Sequence, residues 1–576
     1  MLPTDPRPRL APGHLLEPVR MIRVKPAPVA GAVARLAGLC LSARAARLAL
    51  AGIVALAVLA PLGPLAANRF HSDEATYSSW GVDIASGRDV LVSGSPVDKP
   101  PLFLYVQALS FLAFGVSETS ARLPSLIAGV LSVLVVYRLG RQLHGTAVGL
   151  LAAALWAASP FYILFTPTAF TDSLMVAFVV AGCWAAAAGH RGRAGLLLGL
   201  ATITKQQGIL FTPLVVGLSC MVGERPMDQG IPPETNVRPR RTVAGWTSFA
   251  LGLLAALCVA LAWDIARGRQ PGFLVQGVAS YGGLASGPVL VWKRLAGFLS
   301  LLRFATGSPL LNDILLVGLP LLLAADVLAG LKGCGLRKHT LRAASGRPGA
   351  AGPWAGLQRG AWADVLLAGF VAGFLIGHAV LPFQVWDRYL LGIVPLIGVL
   401  SARGLTLPWR LYQALFLPAA ARTASIRPAP LPALLQLTAV LVLLAGLIGP
   451  VQDAAASRFP IGGDHGAYQG IEQVVGFFKT VPAGTTLYHR WLGGHWRFYL
   501  WGSPYDLRAW TSPADLAAQA SARPGADRYV VFPSWASSTE TRLALAELGL
   551  TLQEAQRAFR DDGSISFVIY RIEEAR

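Results

Sequence analysis

The sequence predicts a polytopic α-helical membrane protein with a carboxyl-terminal extracytoplasmic α/β domain, and three observations lead there. The 576 residues are 54% hydrophobic and only 14% charged, with a mean hydropathy of +0.53, a composition that soluble globular chains do not reach. Apolar stretches long enough to cross a hydrocarbon core as self-satisfied helices recur along the chain. Beyond residue 450 the pattern changes to charges, Trp and Tyr with short β-branched runs.

The first 47 residues are rich in Pro, Ala and Arg, with Arg7, Arg9, Arg20, Arg23, Lys25, Arg35, Arg44 and Arg47 ahead of the first span. Such a tail stays cytoplasmic and is too long for a signal-peptide n-region. Residues 48–450 then form the transmembrane domain. Its spans are expected near 48–67, 123–143, 146–165, 172–189, 194–204, 208–222, 243–263, 309–330, 362–381, 389–402 and 433–450, about eleven in all. The short segments on either side of Lys205 read as half-helices meeting in the membrane, or as one merged crossing. Kept separate, they leave Arg138 and Arg141, Arg191 and Arg193, Arg238 to Arg241, Lys332 to Arg359 and Arg403 to Arg427 on the same side as the amino terminus. That is the positive-inside arrangement, and it sends the carboxyl terminus outside.

The net charge of +19 therefore reads as membrane topology. A nucleic-acid surface would gather its basic residues into one patch with interleaved aromatics, and none is present in the sequence. Cys40, Cys183, Cys220, Cys258 and Cys334 have no metal-ligand spacing and imply no disulfide.

Residues 451–576 are long enough for a core of their own. Tyr529–Phe532 and Ile565–Ile572 read as strands and Leu543–Phe559 as a helix. The aromatic stretch from Arg490 through Trp501 reads as a sugar or membrane contact, or as a buried strand with an interfacial anchor.

The chemistry concentrates in a long first extracytoplasmic loop, 68–122, which exceeds what joining two spans requires. It holds His71-Ser72-Asp73-Glu74, Tyr77, and Asp98-Lys99-Pro100-Pro101-Leu102. Adjacent carboxylates beyond a helix end, with a lysine in a Pro-rich turn, suit a proton acceptor and a phosphate contact. The plain alternatives are an acidic first helical turn for Asp73 and Glu74 and a snorkelling lysine for Lys99. Asp172 lies at the outer end of a span, as a functional acid or a helix cap. Lys205 between its two short segments, and Arg388 beside Asp387 at another outer boundary, are further phosphate candidates or interfacial anchors. The 264–308 loop, with Tyr281, Trp292, Lys293 and Arg294, reads as a lid or an ordered structural loop.

Taken in order, Asp73-Glu74, Asp98-Lys99-Pro100-Pro101-Leu102, Arg122-Leu123-Pro124-Ser125, Thr171-Asp172, Thr204-Lys205-Gln206-Gln207-Gly208 and Arg388-Tyr389 resemble the GT-C glycosyltransferases. Within these, the pattern is most similar to the protein O-mannosyltransferase-like family that includes bacterial aminoarabinose transferases of lipid A, over residues 48–402. The resemblance implies a sugar transferred from a polyprenyl-phosphate donor to a hydroxyl acceptor of the cell envelope. It implies Asp73 as the base with Glu74 as its neighbour, Lys99 on the lipid phosphate, and Asp98 holding a metal or the acceptor. Some relatives carry a metal-ligating histidine where this chain has none between 264 and 308, so a divalent metal is a candidate cofactor with no ligand set assigned. No Gly-rich phosphate loop follows a strand, which excludes a nucleotide-sugar site of that kind. A lipid-linked-sugar flippase or a non-catalytic envelope-assembly protein would share the basic cavity, but neither needs the long acidic loop.

Overall fold

In the computed structural model, residues 42–221, 238–281, 288–315, 359–381, 384–406 and 440–575, with a few isolated positions between them, are described. The expected basic tail up to residue 41 and the basic loops 222–237, 325–358 and 407–437 lie outside the described residues, as do Cys40, Cys334 and parts of the expected spans 309–330 and 433–450.

Among the described residues, four helices are long and apolar enough to cross a membrane: Ala43–Ala67, Glu118–His144, Val243–Arg267 and Gly360–Val380. Six shorter apolar helices, Leu102–Phe114, Thr146–Ala157, Asp172–Ala187, Gln206–Cys220, Val394–Leu405 and Val440–Ala455, join them in the bundle of a multi-pass membrane protein, as does Arg191–Thr204. Small residues let its helices meet backbone to backbone, as membrane helices do in the absence of a hydrophobic driving force. A Cβ at Gly140 would lie 2.9 Å from Gly149 Cα, and one at Gly195 would lie 2.0 Å from Phe249 O. Leu109, Leu112, Leu251 and Val259 remain exposed on the outside, where lipid would cover them.

Two expected loops are helical. The 68–122 stretch contains helix α1 (Ser72–Ala85) and helix α2 (Leu102–Phe114). The apolar run of α2 is shorter than a crossing, so a span-length window passes over it. The 264–308 stretch forms helices Phe273–Tyr281 and Pro288–Leu302. Both leave apolar residues such as Val275, Val278, Val289 and Trp292 exposed, the amphipathic pattern of elements lying along a membrane surface.

The carboxyl-terminal unit is a five-stranded sheet of order β2-β1-β3-β5-β4, with β1 Thr486–His489, β2 Asp506–Ala509, β3 Arg528–Pro533, β4 Leu550–Phe559 and β5 Ile565–Glu574. β1 pairs parallel with β2 and β3, and β5 pairs antiparallel with β3 and β4. Alternate residues of β3 feed two cores: Tyr529 and Val531 pack with Ile471, Phe478 and Trp496, while Val530 and Phe532 pack with Leu516, Leu545 and Tyr570. Cover on both faces explains why β3 is buried throughout.

The expected helix Leu543–Phe559 is corrected here. Helix Thr539–Ala546 stops, Gly549 takes a φ of +70°, and the chain returns as β4. Gln553 to Arg557 favour a helix by propensity, but the ladder with β5 overrides it. A register shift between Glu554 and Gln556 changes the inward face, so Leu550 and Leu552 face one core and Ala558 the other. The Arg490–Trp501 stretch is likewise no strand: it contains helix α3 (Gly493–Tyr499). Trp496 is fully buried, and Gly494 sits so close to α1 that a Cβ there would lie 2.8 Å from Thr76 N.

Candidate functional site

The site is built around the first turn of α1. His71 is its N-cap, with Nδ1 accepting from Asp73 N at 3.2 Å, while Glu74 reaches back to accept from His71 N at 3.2 Å. This reciprocal capping fixes the turn, and it draws Glu74 inward while Asp73 points elsewhere. Glu74 is fully buried and meets Arg122 Nε at 3.1 Å and Ala169 N at 2.6 Å. Arg122 in turn donates to Asn68 O and Arg69 O, each at 2.9 Å. Glu74, expected as the neighbour of Asp73, thus has its oxygens engaged in holding the turn, Arg122 and the backbone at Ala169.

Asp73 instead meets Arg388 Nη1 at 2.5 Å, and its side chain is 34% exposed. Burial pushes the Asp73 carboxyl up, but the charge and hydrogen bond of Arg388, with smaller effects from His71 and Lys99, outweigh it and hold the carboxyl below its ordinary value. Arg388 rests against the rings of Phe170 and Trp386, at 5.4 and 5.5 Å. Its Nε is buried without a hydrogen-bond partner among the described residues. Asp387 ties this segment down, accepting from Arg388 N at 2.7 Å and from Gly462 N at 2.9 Å.

Lys99 pairs with Asp98 and stands 5.8 Å from the Tyr77 ring. Lys205 pairs with Asp172 at 2.5 Å and stands 5.0 Å from the Tyr389 ring. Gln206 Nε2 donates to Asp98 O at 2.5 Å, joining the two lysine segments. Tyr77 is where the groups converge: burial pushes its hydroxyl up, and the charges of Lys99, Asp73, Arg388 and Asp98 all bear on it. The fold thus gathers Asp73, Asp98, Lys99, Asp172, Lys205 and Arg388 from five segments of the chain into one electrostatic cluster and turns Glu74 away from it.

Asp98, implied as a metal or acceptor contact, and Asp172, the acid at the end of a span, each face a lysine, and among the described residues no three His, Cys, Asp or Glu converge.

One wall was not legible in the sequence. A cavity of about 450 Å³ opens beside Arg388, bounded by His71, Phe170 and Trp386 on the bundle side and by Asp464, Tyr468 and Trp535 from the carboxyl-terminal unit. Gly462 and Gly463, at φ +66° and +67°, let the 460–468 loop press onto the bundle: Cβ atoms there would lie 3.0 Å from Leu164 Cβ and 2.5 Å from Asn68 Nδ2. Asp464 accepts from Arg69 N at 3.2 Å and from Tyr468 N at 3.0 Å. His495 donates through Nε2 to Phe70 O at 2.9 Å. The Gly-Gly-Asp run was the available sequence signal, but it names no partner.

A fold of this kind is shared with ArnT from Cupriavidus metallidurans. The apo form matches with a TM-score of 0.57 at 17% identity, and the form bound to undecaprenyl phosphate with 0.53 at 15%, each over 90% of this chain and 97% of that one. The likeness is one of fold: the chain shares the architecture of these structures. More particularly, residues 98–227 match the family described as dolichyl-phosphate-mannose-protein mannosyltransferase, a segment that takes in Lys99, Arg122, Asp172 and Lys205 but neither Asp73 nor Arg388. Two Bacillus subtilis proteins whose mannosyltransferase assignment is provisional are also similar. YycA is 35% identical over 86 residues, 15% of this chain and 13% of that protein, and YkcB 35% over 88 residues, 15% and 12%. The matched stretch spans about an eighth of the length of these relatives.

Proposed function

We propose that the protein is an integral membrane glycosyltransferase that moves a sugar from a polyprenyl-phosphate donor to a hydroxyl acceptor on the extracytoplasmic face, its amino terminus cytoplasmic and its carboxyl terminus outside. The observation that carries this reading is the Asp73–Arg388 pair at 2.5 Å, within the field of Lys99. It joins a partly exposed carboxylate to a guanidinium that has an unused buried donor. An arginine fork suits phosphate oxygens.

Donor phosphate binds Arg388 with help from Lys99 and Lys205 and competes with Asp73 for the guanidinium. Asp73, released from the charge that weakens it as a base, takes the proton of the acceptor hydroxyl. The hydroxyl oxygen bonds to the anomeric carbon as the bond from that carbon to the phosphate oxygen breaks. The electron pair leaves on polyprenyl phosphate, where the cations stabilise it. A single displacement inverts the anomeric centre, by analogy with one-step glycoside hydrolysis. Glu74 and Arg122 act as positioning residues. The lipid-phosphate bond activates the sugar, so donor synthesis falls to another protein.

The experiment supplies undecaprenyl-phosphate sugars to the purified protein and measures release of lipid phosphate with and without Asp73→Asn. Loss of release with retained binding of undecaprenyl phosphate supports the transferase. Movement of lipid across vesicles without bond cleavage would replace it with a flippase.

A further inference from the structure

The cavity at the seam has walls of a definite chemistry. Trp386 from the bundle is 42% exposed and Trp535 from the sheet unit 48% exposed, and both line it. Trp residues left half bare are ordinary at a membrane interface, but these two border one open cavity, and Trp535 belongs to the sheet unit. Trp535 is held by edge contacts to Tyr468 at 5.4 Å and Phe567 at 6.4 Å. An indole face is electron-rich and apolar, which suits the C–H face of a sugar ring.

Acceptors for hydroxyls are also present. Asp387 and Asp464 both border the cavity, and their contacts are with backbone amides: Arg388 and Gly462 for Asp387, and Arg69, Tyr468 and Gly466 for Asp464. Capacity for further donors therefore remains. A volume of about 450 Å³ lies within the range of ~300–1,000 Å³ usual for small-molecule sites. It far exceeds what a serine or threonine side chain would fill. Position supplies the remaining step: Arg388 lines the cavity, whereas Lys99 and Lys205 do not, and the same guanidinium holds Asp73.

We infer that this cavity is a carbohydrate-ring subsite for the acceptor, in which Trp386 and Trp535 flank a pyranose whose hydroxyl is directed past Arg388 to Asp73. The inference rests on the transferase reading above and narrows its acceptor to a glycan or glycolipid. It also gives the carboxyl-terminal unit a role in specificity, since that unit supplies Trp535, Tyr468 and Asp464.

Saturation-transfer NMR on the full-length protein in nanodiscs, loaded with undecaprenyl phosphate, tests it with methyl α-mannoside, methyl α-glucoside and a threonine-containing peptide as probes. The expected result is a signal from at least one glycoside and none from the peptide. Trp535→Ala and Trp386→Ala should each weaken it about 5-fold, the scale of one lost aromatic contact, and Trp535→Phe should restore most of it. Affinity for undecaprenyl phosphate should stay unchanged in Trp535→Ala, which also certifies its fold. No glycoside signal, a signal indifferent to both substitutions, or a peptide signal lost in Trp535→Ala would overturn the inference. A Trp535→Ala protein that loses affinity for mannosyl-phosphoundecaprenol but not for the bare lipid phosphate would assign the ring to the donor, and overturn the acceptor assignment. Failure of the wild-type protein to bind undecaprenyl phosphate would instead count against the transferase reading itself.

Discussion

Asp73 and Glu74 are neighbours in the chain, yet the fold makes two unlike regions of them. At Glu74 and Arg122 both side chains are wholly buried, and backbone groups from 68 to 71 and from Ala169 consume their bonding capacity. At Asp73 and Arg388 the carboxylate stays one-third exposed and the guanidinium keeps a buried donor unused. A saturated buried pair holds structure, because nothing new can bind without breaking it. An unsaturated pair beside a cavity can exchange partners. On the transferase reading proposed above, the difference gives architecture to one acid and chemistry to the other.

The sharpest way to break that contrast is Asp73→Asn. Turnover should fall by about 10²–10⁴-fold, the scale of one lost general base, while the thermal midpoint moves less than for Arg122→Ala below, because water reaches the one-third-exposed carboxylate. A melt as damaged as the activity would show that Asp73 too is architectural. Arg122→Ala should do the reverse and unfold the site, since removing one partner of a fully buried pair costs about 3–5 kcal/mol. Thermal unfolding in detergent reads it, and a small loss there would void the contrast from the other side.

Arg388→Gln sharpens the electrostatic half. Affinity for undecaprenyl phosphate should drop about 10-fold or more, as expected for a lost charge-assisted contact. In the same variant the Asp73 carboxyl is no longer held down, so its protonation begins at higher pH. The acid limb of the kcat/KM profile should move upward, and an unmoved limb would remove Asp73 as the base.

The smallest effect concerns the seam. Burial lowers the imidazole of His495 to about 4, the hydrogen bond to Phe70 O opposing this and the charge of His71 adding to it. Its folded value lies below the unfolded one of about 6.5, so the unfolded state takes up the proton first as pH falls. Stability should therefore decline between about pH 6.5 and 4, and His495→Gln should flatten part of that decline in pH-dependent melts. His489, lowered by burial and the charge of Arg497 to about 4 as well, should add to the decline. Equal slopes in the two proteins would remove His495 from the seam's pH response.

Composition and hydropathy alone determined the membrane class, most helix positions and the change of character after residue 450, because lipid imposes a coarse, length-based rule on sequence. The order of the charged motifs also marked Asp73, Lys99, Asp172, Lys205 and Arg388 before any coordinates. Only the tertiary structure decided that Glu74 turns inward and that Leu550–Phe559 is a strand. It also decided that Leu102–Phe114 is a helix inside an expected loop and that the 460–468 segment and Trp535 close the site. The reason is common to all of these: pairing and burial depend on partners far away in the chain, such as Arg122 for Glu74, β5 for β4 and Asn68 for Gly463. Local pattern and propensity carry no record of them.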